Sequence, residues 1–595
     1  MPDPAGPNRS PSGPHDPGRP APEPNSPNRR DHDAAASTSY GHAPDPDAAN
    51  LPSPAPARAV LFGVPPAGRR LPGAARTALA FGAPALVAAL LGHEQQGMIA
   101  ALGSFAVIFG EGRVYRQRWR AIGWAAVGLI AAACAGAFAG AAIHRHTAAG
   151  GAHAWLLVLV VLMAGVAVIS TFVNSALRLG PPGGFFFVLA VGIGATVTGA
   201  GVSPGAVALW ASAGAVSAMV VGMSGALRYP HAPEENAVAA AVDAVNAYDG
   251  LERGSDDLVP ARYTAGMKIQ TAWTLLDDAC RTNPGQEPAR TLTEAQSRFA
   301  AALHRNGVDD ADALFDTGRP APTPRPSLRF RLARSLSPDS HAAVAANRIG
   351  IAAVLAGSLT VALSIGRPDW AVLTVAVLLH QGPDRVRGTY RGIHRIGGTV
   401  LGLVLFAGIY ALEPRGISLV LILMALQFSI ELFVARNYGL AVVFITPLAL
   451  LMGGGGQYGD PLPVAFDRFI ESVLGVVIGL GVLWLVDRHA HRRVLLRNDR
   501  RVIESLDRLL SALRKNPGHV PEVRKELEFE LMGSTLAEID AAHNEPAWAR
   551  TRWAHHERVH RLGHRILAAT WNLGPDRPAD SDQLARWAAS VEALR

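Results

Sequence analysis

The residues best placed to do chemistry are two pairs of arginines. Arg116 and Arg120 stand four apart in EGRVYRQRWR (111–120), and Arg391 and Arg395 four apart in GPDRVRGTYRGIHR (382–395). On a helix that spacing puts both guanidinium groups of a pair on one face. Guanidinium forks grip carboxylates in bidentate fashion, so each pair could collect an organic anion at a cavity mouth. The competing use is topological, because arginines beside a membrane span set its orientation. Three more charges, Glu431, Arg468 and Glu471, stand at the ends of long apolar runs. Charge inside a bilayer is costly and faces a cavity or a partner. Arg468 and Glu471, three apart, can form a structural ion pair. Arg468 could equally hold an anion, and Glu431 or Glu471 could carry a proton.

One motif is a decoy. HERVH at 556–560 matches H-E-x-x-H, in which two histidines share a helix face and bind zinc while the glutamate acts as base. The extended pattern asks for a histidine three residues after Gly563, where Ile566 stands; His564 follows the glycine directly. The stretch reads as the solvated face of a basic amphipathic helix, and no catalytic residue, metal site or cofactor is expected. No Gly-Lys-Ser/Thr occurs, so an ATP-driven P-loop is unsupported. Cys134 and Cys280, the two cysteines, allow no disulfide framework or four-cysteine zinc site and read as unpaired thiols.

The elements that must position these groups follow from composition. In 595 residues, 17% are charged and 49% hydrophobic, with 61 glycines and a mean hydropathy of +0.18. Soluble domains carry roughly a quarter charged residues. The apolar residues are concentrated: 184–226 holds no charge at all, enough for two spans of about 20 residues each. Six spans are expected near 74–92, 97–110, 119–143, 153–174, 183–199 and 205–225. Six more are expected near 344–365, 369–381, 394–412, 416–434, 438–453 and 466–487. The second span of each block is short, and Gly192, Gly194 and Pro447 interrupt the fifth spans; short or broken segments at matching places in two repeats point to a transport site.

The positive-inside rule puts the arginine-rich loops 111–120 and 382–395 in the cytoplasm. The N-terminus, the 227–342 region and the C-terminus then fall on the same side. This placement also accounts for the net charge of +7 without nucleic acid as a partner. YRQRWRAIG (115–123) and YRGIHRIGG (390–398) share Tyr-Arg, Arg and Gly at equal spacing. Arg76 and Arg348 each open a first span. Two parallel copies of six spans are therefore expected, related by an axis along the membrane normal. The expected divisions are a disordered Pro-rich cytoplasmic tail (1–70), a first transmembrane repeat (71–226), a cytoplasmic helical region and linker (227–342), a second repeat (343–487) and a C-terminal cytoplasmic helical domain (488–595).

The second block resembles the fusaric acid resistance protein-like family, also called aromatic acid exporters. The resemblance rests on RPDWAVLTVAVLL (367–379), GPDRVRGTYRGIHRIGGTVLGLVL (382–405) and RFIESVLGVVIGLGV (468–482). It implies an inner-membrane transporter with cytoplasmic helical domains, exporting aromatic carboxylic acids or conducting organic anions. Arg391, Arg395, Gly398 and Gly402 match the family's arginine–glycine motif, and Arg468 its last-span arginine. Arg116, Arg120 and Gly123 match only through the internal repeat, and the first block has no arginine corresponding to Arg468. The expectation is thus an all-α polytopic membrane protein of the cell (inner) membrane, both termini cytoplasmic. It would carry amphipathic or aromatic organic acids outward on a gradient, with the lipid bilayer and an organic-anion substrate as partners. A homo-oligomer is compatible with this class. The alternatives are a major facilitator-type transporter, which also has six plus six spans, and a membrane scaffold or regulator acting through its cytoplasmic helices.

Overall fold

The computed structural model describes residues 51–595 apart from 53, 55, 66–69, 181, 253–257, 284, 306–325, 366, 381, 454–459, 571–572 and 574–577. Most of the expected 1–70 tail, and residues 306–325 within the expected 227–342 region and linker, lie outside the described residues. Within the tail, however, Ala57–Phe62 is a helix, α1. Its end is held by side chains of the second block: the carbonyl oxygen of Leu61 accepts from His394 Nε2 and Asn437 Nδ2, each at 3.1 Å.

Every regular element among the described residues is helical. The first block runs α2 (Leu71–Leu90), α3 (Glu94–Gly97), α4 (Ala100–Ser104) with a 3-10 turn (Phe105–Gly110), α5 (Tyr115–Ala148), α6 (Leu156–Leu177), α7 (Phe185–Gly199) and α8 (Pro204–Met223). Helices α9 (Ala232–Asp249), α10 (Leu258–Asp278), α11 (Glu287–Arg305) and α12 (Leu328–Ser335) follow. The second block is α13 (His341–Ala362), α14 (Pro368–Leu379), α15 (Arg385–Tyr410), α16 (Ile417–Phe433), α17 (Tyr438–Gly453) and α18 (Pro461–Leu485). The chain closes with α19 (Ala490–Lys515), α20 (Val520–Asn544), α21 (Pro546–Ala569) and α22 (Ser581–Glu592).

Seven of these helices are long and apolar enough to cross a membrane, and five shorter apolar helices fill the remaining expected positions. A single apolar core runs through both blocks. Separate small cores hold α9–α11 together around Tyr248, Trp273 and Phe299, and α19–α22 together around Val502, Leu527 and Ile566.

The two blocks use the same partners. Their third helices, α5 and α15, cross their fifth, α7 and α17. The second helices, α4 and α14, lie on the sixth, α8 and α18. Between blocks, the fourth helix of each packs on the first of the other: α6 on α13 and α16 on α2. Small residues permit the tightest crossings. Gly136 and Gly140 of α5 lie against the backbone of α7 at Val191 and Ala195, and Gly398 and Gly402 of α15 lie against α17 at Gly439 and Val443. Without a hydrophobic driving force between helices in lipid, such backbone-to-backbone approach supplies the dispersion contact that holds a bundle together.

Arg76 and Arg348, read as counterparts, both latch the segment after the second span. Arg76 pairs with Glu111 at 2.9 Å. Arg348, wholly buried, donates to the carbonyl oxygens of Pro383 and Asp487, both at 2.9 Å.

Candidate functional site

The segment 382–395 is not the open loop its arginines suggest. Asp384 caps a helix at Arg385, its carboxylate accepting from the backbone N–H groups of Val386 and Arg387 at 2.9 and 3.2 Å. That cap satisfies donors a helix start otherwise leaves unpaired. Helix α15 therefore enters the bundle early. Arg395 is its eleventh residue, about 15 Å from its start. Gly388 and Gly392 let the helix lie against Leu483, Val476 and Leu480 of α18, so Arg395 is only 4% exposed.

Around Arg395 the second block gathers further charge. Arg395 Nη2 reaches Thr374 Oγ1 on α14 at 3.4 Å. Arg468, 2% exposed on α18, sets its guanidinium 3.6 Å from the ring centroid of Trp370 on α14. Tyr438, at the start of α17, faces Arg391, Arg395 and Arg468. Glu471, also 2% exposed, does not form the expected pair with Arg468. It accepts the backbone N–H of Arg367 at 2.5 Å, because the head of α14 offers a donor that the helix itself cannot satisfy. The Arg367 side chain turns to Asp369, at 2.7 Å, and to the hydroxyl of Thr196 on α7. Gly192 of α7 lies beside Asp369, so the first block contributes a small-residue wall.

When all are ionised, three guanidinium groups (Arg367, Arg395, Arg468) face two carboxylates (Asp369, Glu471), leaving an excess of one positive charge. The Nε of Arg395 and the Nε and Nη1 of Arg468 are buried with no hydrogen-bond partner. Buried donors left unpaired cost roughly 1–3 kcal/mol each, more when charged. A carboxylate between Arg395 and Arg468 would supply both the missing acceptors and the missing charge.

The remaining candidates are placed differently. Arg391 lines a small cavity of about 30 Å³ with Leu378, Gly382, Asp384, Arg387, Gly388 and Asp540, one helical turn before Arg395. Arg116 and Arg120 are exposed at the start of α5. Arg116 Nη1 lies 2.7 Å from Cys280 Sγ, and Arg120 lies over Trp119 at 5.3 Å. They are not brought to the buried cluster, and Gly123 makes none of the backbone crossings that Gly398 makes. Glu431 is half-buried near the end of α16, next to Gln427 at 3.4 Å, apart from Glu471.

The HERVH histidines are not on a solvated face. His556 is buried, with Nδ1 at 2.7 Å from Asp499 and Nε2 at 2.9 Å from Glu538. Burial opposes its charge, yet those two hydrogen bonds hold the imidazole up at about 9. His560 Nε2 meets Thr535 Oγ1 at 3.1 Å. Helices α19 and α20 supply the partners, which the spacing within α21 could not reveal. Cys134 and Cys280 are free.

Sequence reasoning passed over Arg367, Asp369 and Thr374. The signal was present as Arg-Pro-Asp opening an apolar run: proline at the first helical position, with opposite charges on either side of it.

Fold and site together define a polytopic all-helical membrane protein with an arginine–carboxylate cluster buried between its spans. Residues 351–482 match the family described as fusaric acid resistance protein-like, which bears out the resemblance over that region. Across 86% of this chain and 88% of the relative, the protein is 25% identical to YvaC, an uncharacterized membrane protein of Bacillus subtilis (strain 168). No solved structure matches.

Proposed function

We propose that the chain is a gradient-driven exporter of amphipathic or aromatic organic acids, set in the cell membrane with both termini cytoplasmic. Its two blocks act as parallel six-helix repeats. Substrate carboxylate passes from Arg391 to a site between Arg395 and Arg468, with Trp370 and Tyr438 beside the organic part. Glu471 is the group placed to exchange a proton, since it shares the cluster with both arginines; Glu431 stands outside it. The observation that carries this reading is the pair of buried guanidinium groups with unpaired donors, inside the segment that matches the family. The family resemblance supplies the substrate class and the outward direction.

The experiment is flux of a radiolabelled aromatic carboxylate through proteoliposomes of the purified chain under imposed pH and voltage gradients. Saturable, gradient-driven flux that is lost in Arg468→Gln and kept in Arg120→Gln is the expected result. Equal flux in both variants at equal protein levels would remove the site, and no flux by the parent chain would remove the transport reading in favour of a scaffold.

A further inference from the structure

Helix α20 belongs by its packing to the C-terminal helices, but its side chains reach both membrane blocks. Near its middle it meets the first block. Arg178, which closes α6 in the left-handed conformation (φ 49°), donates from Nη1 to the carbonyl oxygen of Phe529 at 2.9 Å. Its guanidinium lies 3.7 Å from the centroid of the Phe529 ring. Gly533 makes room for this: a Cβ there would stand 2.6 Å from Arg178 Nη2.

At its end, α20 meets the second block. Asn544 Oδ1 accepts the backbone N–H of Arg385 at 2.7 Å, and its Nδ2 donates to Asp384 Oδ1 at 3.3 Å. Asp540 lies 3.2 Å from His341 at the head of α13. Asn544 thus completes the cap of α15, the helix that carries Arg391 and Arg395. Phe529 and Asn544 are fifteen residues apart on one helix, so the two attachments are held about 22 Å apart along a stiff rod.

We propose that α20 is a clamp across the two blocks, fixing the separation between the end of α6 and the start of α15 and releasing Arg178 when the blocks move against each other. Arg178 is the end that lets go. Its contacts with α20 include a hydrogen bond to the Phe529 carbonyl oxygen and a cation–π contact with the Phe529 ring. The Asn544 end instead completes the start of a helix, satisfying the backbone donor of Arg385. Rocking of one repeat against the other around a central site is the usual motion of transporters built from repeats, and it changes this separation. The clamp's use in transport rests on the function proposed above; its mechanical role does not.

The test reads mechanics and flux separately. Spin labels are placed at Leu179 and Ile393, one on each block, in a background with Cys134→Ala and Cys280→Ser. The distance between them is measured by pulsed electron spin resonance in lipid. The parent background should give one narrow distance distribution. Arg178→Ala should broaden it or add a second population, and Arg178→Lys, which keeps a cation over Phe529, should restore most of the first. An Arg178→Ala distribution identical to that of the parent overturns the clamp, whatever the flux. If Arg178→Ala changes the distances while the parent chain carries no organic anion, the clamp stands and the transport reading falls. If the parent carries anions, Arg178→Ala should change their flux at least about threefold, a step of roughly 0.7 kcal/mol in barrier. Unchanged flux alongside changed distances would separate the clamp from the transport cycle.

Discussion

The two membrane blocks share a scaffold and differ in charge. Matching the glycine crossings aligns Gly136 and Gly140 of α5 with Gly398 and Gly402 of α15. Counting three residues back from Gly136 and from Gly398 gives Ala133 in one block and Arg395 in the other. On the sixth helices, Gly214 lies against α4 at Ala100 as Gly475 lies against α14 at Ala371. Seven residues back from each stand Val207 and Arg468, and four residues back stand Trp210 and Glu471. At these positions one block is apolar where the other holds charge; the first block's own buried arginine, Arg118, sits at the start of α5 and donates to the carbonyl oxygens of Arg113 and Gly222. Two bundles can share a packing pattern while only one places charge at these positions, because the small residues that set the crossings are separate from the positions that face the interior.

That difference can be broken or sharpened at several points. The largest expected effect is Arg395→Gln or Arg468→Gln. Either removes a charge-assisted contact of about 2–3 kcal/mol, which lowers organic-anion flux roughly 30- to 150-fold, with protein level in the membrane as the control. Ala133→Gly and Val207→Ala at the matching first-block positions, which add no volume to a crossing, should spare flux relative to these. If the Ala133 and Val207 variants lose as much, the two halves are functionally equal and the contrast fails.

A second effect lies in the C-terminal helices that α20 belongs to. The His556 imidazole is held at about 9 by Asp499 and Glu538 despite burial, above its ordinary value near 6.5. Its charge-dependent stabilisation is therefore fully present below about pH 6.5 and is lost as pH rises through about 9. His556→Gln should lower the melting temperature at pH 6 by an amount corresponding to about 3 kcal/mol. The gap to the parent should close by pH 10, read by thermal scans across pH. A gap constant with pH would mean that His556 contributes by shape alone.

Next comes the shared frame. Gly136→Leu and Gly398→Leu each force a side chain into a backbone crossing, at about 1–3 kcal/mol. Both should reduce thermal stability in detergent, and to a similar extent. A variant that destabilises only one block would show that the frames are not alike.

The smallest effect belongs to Arg116→Gln and Arg120→Gln, which should leave flux within about twofold, since exposed charges in water are worth little. A large loss there would restore the arginine pairs as duplicated capture sites.

What could be read from residues alone was where the chain avoids water. The positions of twelve apolar segments followed from where charge is absent, because lipid cannot satisfy charged groups or open backbone, whereas their ends did not: α15 starts at Arg385, nine residues before the expected 394. The observed helices fall on those segments, including the short second and fifth helices of each block. Arg391, Arg395 and Arg468 were visible through the family resemblance, and Glu471 through its position in an apolar run.

The letter match between the two blocks does not carry over to helix register. YRQRWRAIG and YRGIHRIGG align by letters, yet Arg116 and Arg120 lie exposed at the start of α5 while Arg395 is already within the bundle. The deciding features were the cap at Asp384 and the glycine contacts with α18, which are three-dimensional facts. The same holds for Glu471 on the Arg367 N–H, for Arg367 bridging to Thr196, for His556 between two carboxylates, and for α20 spanning both blocks. Hydropathy follows from each residue's own transfer free energy, so it is written locally. A buried charge depends on which partners arrive from helices distant in sequence, and only the assembled bundle decides that.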